Sequence, residues 1–320
     1  MANTGTNDWP PTCSAALLHK RAELYKTIRS FFEQRSVLEV ETPILSQATN
    51  ADPNLASFPV GDSLYLQTSP EFPMKRLLAT GSGSIYQITK SFRRSESGRF
   101  HNPEFTLLEW YRLDFGVQQL IDEVVDLLKH CFNLSLNIEV NTYSELFFNA
   151  TDIDPHTAGV DELQQYASDK GSPEAVTICG RRHSDWLDYI FSQYIQPTLD
   201  KDTLYFVTDY PACMAMLAKL SDEDIPKAKR FEVYYRQLEL ANGYEELTDA
   251  NIQRARFEAD QLCRKGQGLE AVPMDQRLLA ALEHGLPSCS GVALGLDRLL
   301  MSMTNASSID EVLSFPIQRA

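Results

Sequence analysis

The sequence predicts an α+β fold, in which helices with one apolar face accompany strands that carry polar rows. Three observations predict it. Residues 86–111 alternate: Gln87, Thr89, Ser91 and Arg93 fall on one face of a strand and Tyr86, Ile88 and Phe92 on the other, and after a charged loop Phe105, Leu107, Glu109 and Tyr111 share a face. Near the start, Leu17, Leu18, Leu24, Tyr25, Ile28, Phe31 and Phe32 recur at helical spacing. Near the end, residues 290–300, SGVALGLDRLL, read as a small-residue strand running into a helix.

Each element has its own signal. Ser14 caps the first helix, which runs to about residue 34. A strand over 37–43 ends at Pro43, which cannot donate to a ladder. Residues 64–67 alternate as a strand, and Ser69-Pro70-Glu71 opens a helix that stops near Gly81. Leu120, Val124, Leu127, Leu128 and Cys131 mark a core-packing helix over 118–132. Between about 141 and 226 the pattern gives helices at 143–148, 161–167 and 185–195 and a strand at 204–208. Two turns, near Arg236 and at Asn242-Gly243, are expected beyond it. Thr248 is expected to cap a helix to about residue 264, and Pro273 to open another that ends at Gly285.

Composition excludes several classes. The net charge of −15, from 44 acidic and 29 basic residues, argues against a surface that wraps a long phosphate backbone. A chain of 320 residues buries enough surface to need no disulfide or metal staple. The six cysteines are scattered, with no Cys-x-x-Cys and no histidine at ligand spacing, which fits a reduced cytosolic protein. Residues 1–14 form a polar, flexible N-terminus without a charged start and apolar run, so no secretory signal is expected. No apolar run is long enough to span a membrane, so the expected location is the cytoplasm.

Three clusters suggest chemistry. In residues 91–112, SFRRSESGRFHNPEFTLLEWYR, a carboxylate, a phenol and an aromatic ring share one row, which is costly to bury unless something binds it. These residue types suit a nucleoside triphosphate. Glu71 in a first helical turn fits a ligand role and, equally, plain dipole complementation. Glu232, Glu239 and Glu246 are seven apart, on opposite faces of any regular strand, and in an acidic protein each has a surface reading as well. Gly291 and Gly295 allow a ligand close to the backbone, or tight helix packing.

Residues 91–112 resemble motif 2 of the class II aminoacyl-tRNA synthetases, in the lysyl subgroup. The strand ending at Pro43 resembles their motif 1, and residues 290–300 their motif 3, in family order. The resemblance implies an antiparallel sheet flanked by helices, a catalytic domain over 15–320 with a helical insertion at about 141–226, and a homodimer formed through motif 1. It implies ATP and Mg2+. Arg93 is the implied clamp on the α-phosphate, and Phe105 the adenine stack. Arg298, the second catalytic arginine, closes over the adenine and reaches the γ-phosphate. Asn102, Glu239, Leu240, Gly295, Ser95 and Glu96 are placed at the nucleotide, although most relatives have an acidic residue where this chain has Ser95. Glu232 and Glu239 are the implied magnesium ligands. On the substrate side, Ser69 and Glu71 are implied at the reacting end of an amino acid, and Tyr111, Asn242 and Glu246 at a far amine. Ala293 stands where tRNA-charging relatives usually have glycine.

The layout without an anticodon-binding domain, together with ELANG at 239–243 and SGVALG at 290–295, resembles the elongation factor P (R)-β-lysine ligases. That family activates (R)-β-lysine, and lysine more weakly, and joins it to a lysine side chain of elongation factor P; no stable tRNA binding is then expected. The alternatives are a free-standing lysyl-adenylate enzyme that charges tRNA or makes a small amide, and a catalytically silent regulatory paralogue.

Overall fold

The computed structural model describes residues 9–132 and 136–320. They fall into two units, Met1–Leu134 with Thr248–Ala320, and Ser135–Leu247, each with its own strands and core.

In the first unit, α1 (Ala15–Glu33) begins where Ser14 Oγ accepts the Leu17 N–H and buries Leu24, Ile28, Phe31 and Phe32, as the spacing predicts. The strand expected over 37–43 is only two residues long. β1 (Leu38–Glu39) pairs with Ile85 and Tyr86, and the chain leaves the ladder before Pro43. β2 (Leu45–Ser46), β3 (Pro59–Val60) and β4 (Leu64–Leu66) make a small sheet in the order β2-β4-β3. α2 (Glu71–Ala79), β5 (Ile85–Phe92), β6 (Glu104–Leu113) and α3 (Val117–Phe132) follow.

β5 and β6 form the predicted hairpin, with Gln87 opposite Glu109, Thr89 opposite Leu107 and Ser91 opposite Phe105. Residues opposite each other share a face, so the polar row is continuous across both strands. Its other face packs on α1: Phe32 stacks on Tyr86 and meets Trp110 edge-on. Gln87, Thr89 and Ser91 are buried, and two of them are hydrogen-bonded within the fold. Thr42 donates to Gln87 (2.9 Å) and Gln67 to Thr89 (3.2 Å).

The second unit begins with β7 (Asn137–Thr142), α4 (Tyr143–Thr151), α5 (Val160–Asp169), α6 (Ala175–Cys179) and α7 (His183–Ile190). β8 (Thr203–Pro211), β9 (Lys227–Tyr235) and β10 (Leu238–Glu245) complete it, with β7-β8-β9-β10 as neighbours. The helices expected at 143–148 and 161–167 are present with slightly wider bounds. The one expected at 185–195 ends at Ile190 and continues as a π-helical turn over Phe191–Ile195. β7 and α6 have no counterpart in that reading, although Asn137, Ile138, Glu139, Val140 and Asn141 alternate as a strand does; α6 is a single turn. Tyr143, Phe147, Trp186, Ile190 and Tyr210 form the unit's core.

The chain then returns to the first unit through α8 (Ala250–Gly266), α9 (Gln276–Gly285), β11 (Cys289–Gly295) and α10 (Leu296–Thr304). β11 pairs antiparallel with β6, giving the order β1-β5-β6-β11. Within each unit the strands are antiparallel apart from one pair, β1 with β5 and β7 with β8, and helices flank them. The expected antiparallel sheet flanked by helices is therefore the fold.

Two expected helix starts are corrected. Asp249, not Thr248, caps α8 by accepting from Asn251 and Ile252 N–H, and Asp275, not Pro273, caps α9 through Arg277 and Leu278 N–H. A carboxylate two residues before an N–H reaches it directly, whereas Thr248 and Pro273 sit too early in the chain. Replacing Asp249 by alanine is expected to lower the unfolding free energy by about 1 kcal/mol in urea titration, and Thr248→Ala to leave it unchanged.

Candidate active site

Arg93 leaves β5 with its N–H on Pro103 O (2.9 Å), which closes the charged loop. Its guanidinium lies 5.0 Å from the Phe105 ring centroid, and Nη1 donates to Glu96 Oε1 at 2.9 Å. A turn, Glu96 N–H to Arg93 O (3.2 Å), brings that carboxylate round. Glu96 thus supplies the acidic partner, and Ser95 lies exposed in the turn. Arg93 Nε is buried and has no partner among the described residues. A buried donor left unmade costs about 1–3 kcal/mol, a penalty that an anionic ligand removes.

Arg298 is the third residue of α10, whose start is tied to β6. Asp297 Oδ2 accepts the Thr106 N–H (2.7 Å), and Oδ1 pairs with Arg21 of α1 (2.7 Å). Gly295 is the cap of this helix and lies opposite Leu107. The Arg298 guanidinium reaches back to the loop, with Nε near Phe100 O (3.4 Å) and Nη2 2.6 Å from His101 Nε2. Asn102 differs from the expectation of a nucleotide ligand. It donates to Glu104 O (2.6 Å) and accepts from Ile317 N–H (3.0 Å), so its amide shapes the loop.

The amino-acid side of this unit centres on Glu109, which is 2% exposed. Tyr111 donates to one oxygen (2.7 Å) and Ser69 to the other (2.8 Å), while Ser69 Oγ accepts the Glu71 N–H (3.0 Å). Across β11, Gly291, Ala293 and Gly295 lie opposite Tyr111, Glu109 and Leu107. At Gly291, Ala293 and Gly295 the face of β11 beside the polar row therefore carries a single methyl group. Ser69, Tyr111 and Ala293 thus lie about Glu109, with the Glu71 backbone on Ser69. Glu71, however, already holds a protein ammonium: Lys75 Nζ is 2.6 Å from Oε1, and Lys75 is 2% exposed.

Glu109 and Lys75 have no assigned role in the sequence reading. The alternation places Glu109 in the polar row, and the four-residue spacing of Glu71 and Lys75 on a helix is the signal that finds the second pair.

In the second unit, Arg236 and Gln237 both have positive φ, 54° and 63°, and make the two-residue turn between β9 and β10. The second expected turn is corrected. Asn242 and Gly243 lie within β10, opposite Glu232 and Phe231. A bulge between Glu239 and Ala241 does what that turn was expected to do. One extra residue reverses the alternation, so Glu239, Asn242 and Tyr244 pair with Tyr234, Glu232 and Arg230 on a single face. Leu240 and Glu246 are buried.

Glu232 does not fit the expected magnesium role. Oε1 accepts from Arg230 Nη2 and Asn242 Nδ2 (3.2 Å), and Oε2 from the phenols of Tyr210 (2.7 Å) and Tyr234. Burial and the charge of Glu232 hold both phenols protonated, well above their ordinary pKa. Burial alone would lower the pKa of Arg230, but Glu232 together with Tyr244, Tyr210 and Tyr234 outweighs it and keeps the guanidinium charged. The carboxylate is thus occupied by four protein donors. Among the described residues no group of three or more acidic, histidine or cysteine side chains is arranged to hold a metal ion.

This geometry, an arginine with an orphaned donor on a charged hairpin loop and a helix arginine behind a glycine-rich strand, agrees with a family match. The chain belongs to the class II tRNA synthetases (D, K and N), whose family description matches residues 11–319. Within that match it is similar to proteins named elongation factor P–(R)-β-lysine ligase. It is 46% identical to the one of Edwardsiella ictaluri over 321 residues, covering 98% of each chain. It is 45% identical to that of Pectobacterium atrosepticum, over 98% of this chain and 99% of the relative, and 45% identical to that of Klebsiella pneumoniae over the full length of both.

Proposed function

We propose that this chain is an ATP-dependent ligase that activates (R)-β-lysine, and lysine more weakly, and transfers it to a lysine side chain of elongation factor P. The observation that carries the reading is the shared face of β5, β6 and β11. It presents the orphaned donor of Arg93, the aromatic ring of Phe105 and the buried carboxylate of Glu109 beside the small residues of β11. The names of the relatives supply the acceptor.

In the first step a substrate carboxylate oxygen attacks the α-phosphorus of ATP, and the bond to the β-phosphate breaks, releasing pyrophosphate. Arg93 donates to the charge that develops on the α-phosphate. In the second, the acceptor amine attacks the acyl carbon and loses a proton, and AMP departs with the electron pair of the broken bond. Glu109, with Ser69 and Tyr111 holding it, offers a fixed negative charge to a substrate ammonium. Glu239, Leu240, Asn242 and Glu246 keep the roles that the resemblance implies. Magnesium is the ordinary companion of the triphosphate, and Glu232 is not counted among its ligands.

The homodimer and the cytoplasmic location are part of this proposal. Exposed Leu38, Ile44, Leu45 and Val60 around β1 to β3 support the first. No helix among the described residues is long and apolar enough to cross a membrane.

The test is ATP–pyrophosphate exchange with lysine and both β-lysine enantiomers, followed by addition of elongation factor P or tRNA. Exchange that is fastest with (R)-β-lysine and product formation on elongation factor P are expected. Exchange with no lysine isomer would sink the reading, and transfer to tRNA alone would replace it with a charging enzyme.

A further inference from the structure

β6 presents Glu109 and Tyr111 on one face of the sheet and turns Trp110 and Arg112 to the other, where a single carboxylate of α3 meets both. Glu123 Oε2 accepts the Trp110 indole N–H (3.1 Å), and Oε1 lies 3.4 Å from Arg112 Nε and 3.8 Å from Arg35 Nε. Trp110 and Glu123 are both buried. The arrangement is costly for the carboxylate. At 3.4 Å the Arg112 contact is an ion pair without a hydrogen bond, and Arg112 Nε has no hydrogen-bond partner among the described residues. Burial pushes the Glu123 carboxyl above its ordinary pKa; Arg112 first, then the indole and Arg35, recover only part of that, and Asp126 adds to it. A buried ion pair of this kind adds little stability over apolar side chains of similar volume. What it does supply is position. Residues two apart on a strand share a face, so a carboxylate that ties down Trp110 and Arg112 from behind fixes the pleat between them, and with it the directions of Glu109 and Tyr111.

We infer that Glu123 is a positioning residue for Glu109 and Tyr111: from the far face of the sheet it holds the end of β6 so that the carboxylate and the phenol meet the substrate in one geometry. The nucleotide end of the strand is outside its reach. Phe105 lies four residues before Glu109 and six before Tyr111, about 13–20 Å along the strand at roughly 3.3 Å per residue. Binding groups must be held to about 0.5 Å, so a slack strand end weakens amino-acid recognition and spares ATP. A purely structural Glu123 has the opposite signature: a lower unfolding midpoint, with the KM values for both substrates unchanged in the protein that remains folded.

This inference rests on the proposed amino-acid site at Glu109. It is tested with ATP–pyrophosphate exchange in Glu123→Gln and in the double variant Glu123→Gln with Arg112→Met. Glutamine keeps an acceptor for the indole and removes the charge that faces Arg112. The second substitution leaves no buried Arg112 cation without a counter-charge, and Arg35 retains Asp126 at 3.5 Å, so the double variant is expected to unfold in urea near the wild-type midpoint. In both variants KM for (R)-β-lysine is expected to rise about tenfold while KM for ATP stays within about twofold. An unchanged KM for (R)-β-lysine in the double variant, or equal rises for both substrates, would overturn the inference. A crystal structure of Glu123→Gln answers without any substrate. Tyr111 Oη is expected to have moved from its place 2.7 Å from Glu109, and superimposable Glu109 and Tyr111 side chains would count against Glu123. If the wild type exchanges with no lysine isomer, the ligase reading fails and the crystal structure still decides whether Glu123 holds the strand.

Discussion

Arg93→Ala is expected to lower ATP–pyrophosphate exchange by about 10²–10³-fold, the usual effect of removing one prepositioned donor to a developing charge. The structure explains why so much hangs on one side chain. The guanidinium is held by Glu96 and the Phe105 ring while Nε stays buried without a partner among the described residues. A donor held in that state is available to a phosphate oxygen at no further cost in orientation. Arg93→Lys is expected to recover little, because an ammonium lacks the planar fork and the ring contact. Circular dichroism and the urea midpoint should remain close to the wild type, since Arg93 sits at a loop and is half-buried. Undiminished exchange in Arg93→Ala would show that the clamp lies elsewhere.

Glu232→Ala is expected to destabilise the protein by about 3–5 kcal/mol, measured by urea unfolding at neutral pH, because it leaves a buried cation without its counter-charge. Arg230 is 6% exposed and lies 4.4 Å from the Tyr210 ring. Removing the carboxylate also strips the phenols of Tyr210 and Tyr234 of their acceptor. Glu232→Gln keeps an acceptor and should lose less. A magnesium ligand behaves differently: its removal shifts the metal requirement and leaves the unfolding midpoint nearly in place. Stability unchanged in Glu232→Ala, with a raised magnesium requirement, would restore the metal reading that the sequence suggests.

These two residues also mark how far the sequence could be read. Arg93, Phe105, Glu109 and Tyr111 are legible because a strand alternates with period two, and a polar row on a strand stands out against an apolar partner row. Ser14 and the stripe from Leu24 to Phe32 are legible for the same reason at helical period. The glutamates of 232–246 were not. Their spacing predicts opposite faces, and the strongest local signal, Asn242-Gly243, suggested a turn. Of the two expected turns, the one near Arg236 forms, at Arg236-Gln237, while the pairing of β9 with β10 overrides the local preference of Asn-Gly.

The sequence by itself determined the class of fold, the order of its motifs and the hairpin that carries Arg93, because each is written in residues close together in the chain. Only the tertiary structure decided which partners those residues have. Glu96 takes the place open at Ser95 because a turn delivers it, and Asn102 is spent on the Ile317 backbone. Glu71 meets Lys75, Glu232 meets four donors, and Arg298 rests on His101. The physical reason is common to all of them. A buried or clustered charge takes the nearest complementary group in space, and what is nearest depends on a bulge, a turn or a strand register that single-sequence periodicity does not record.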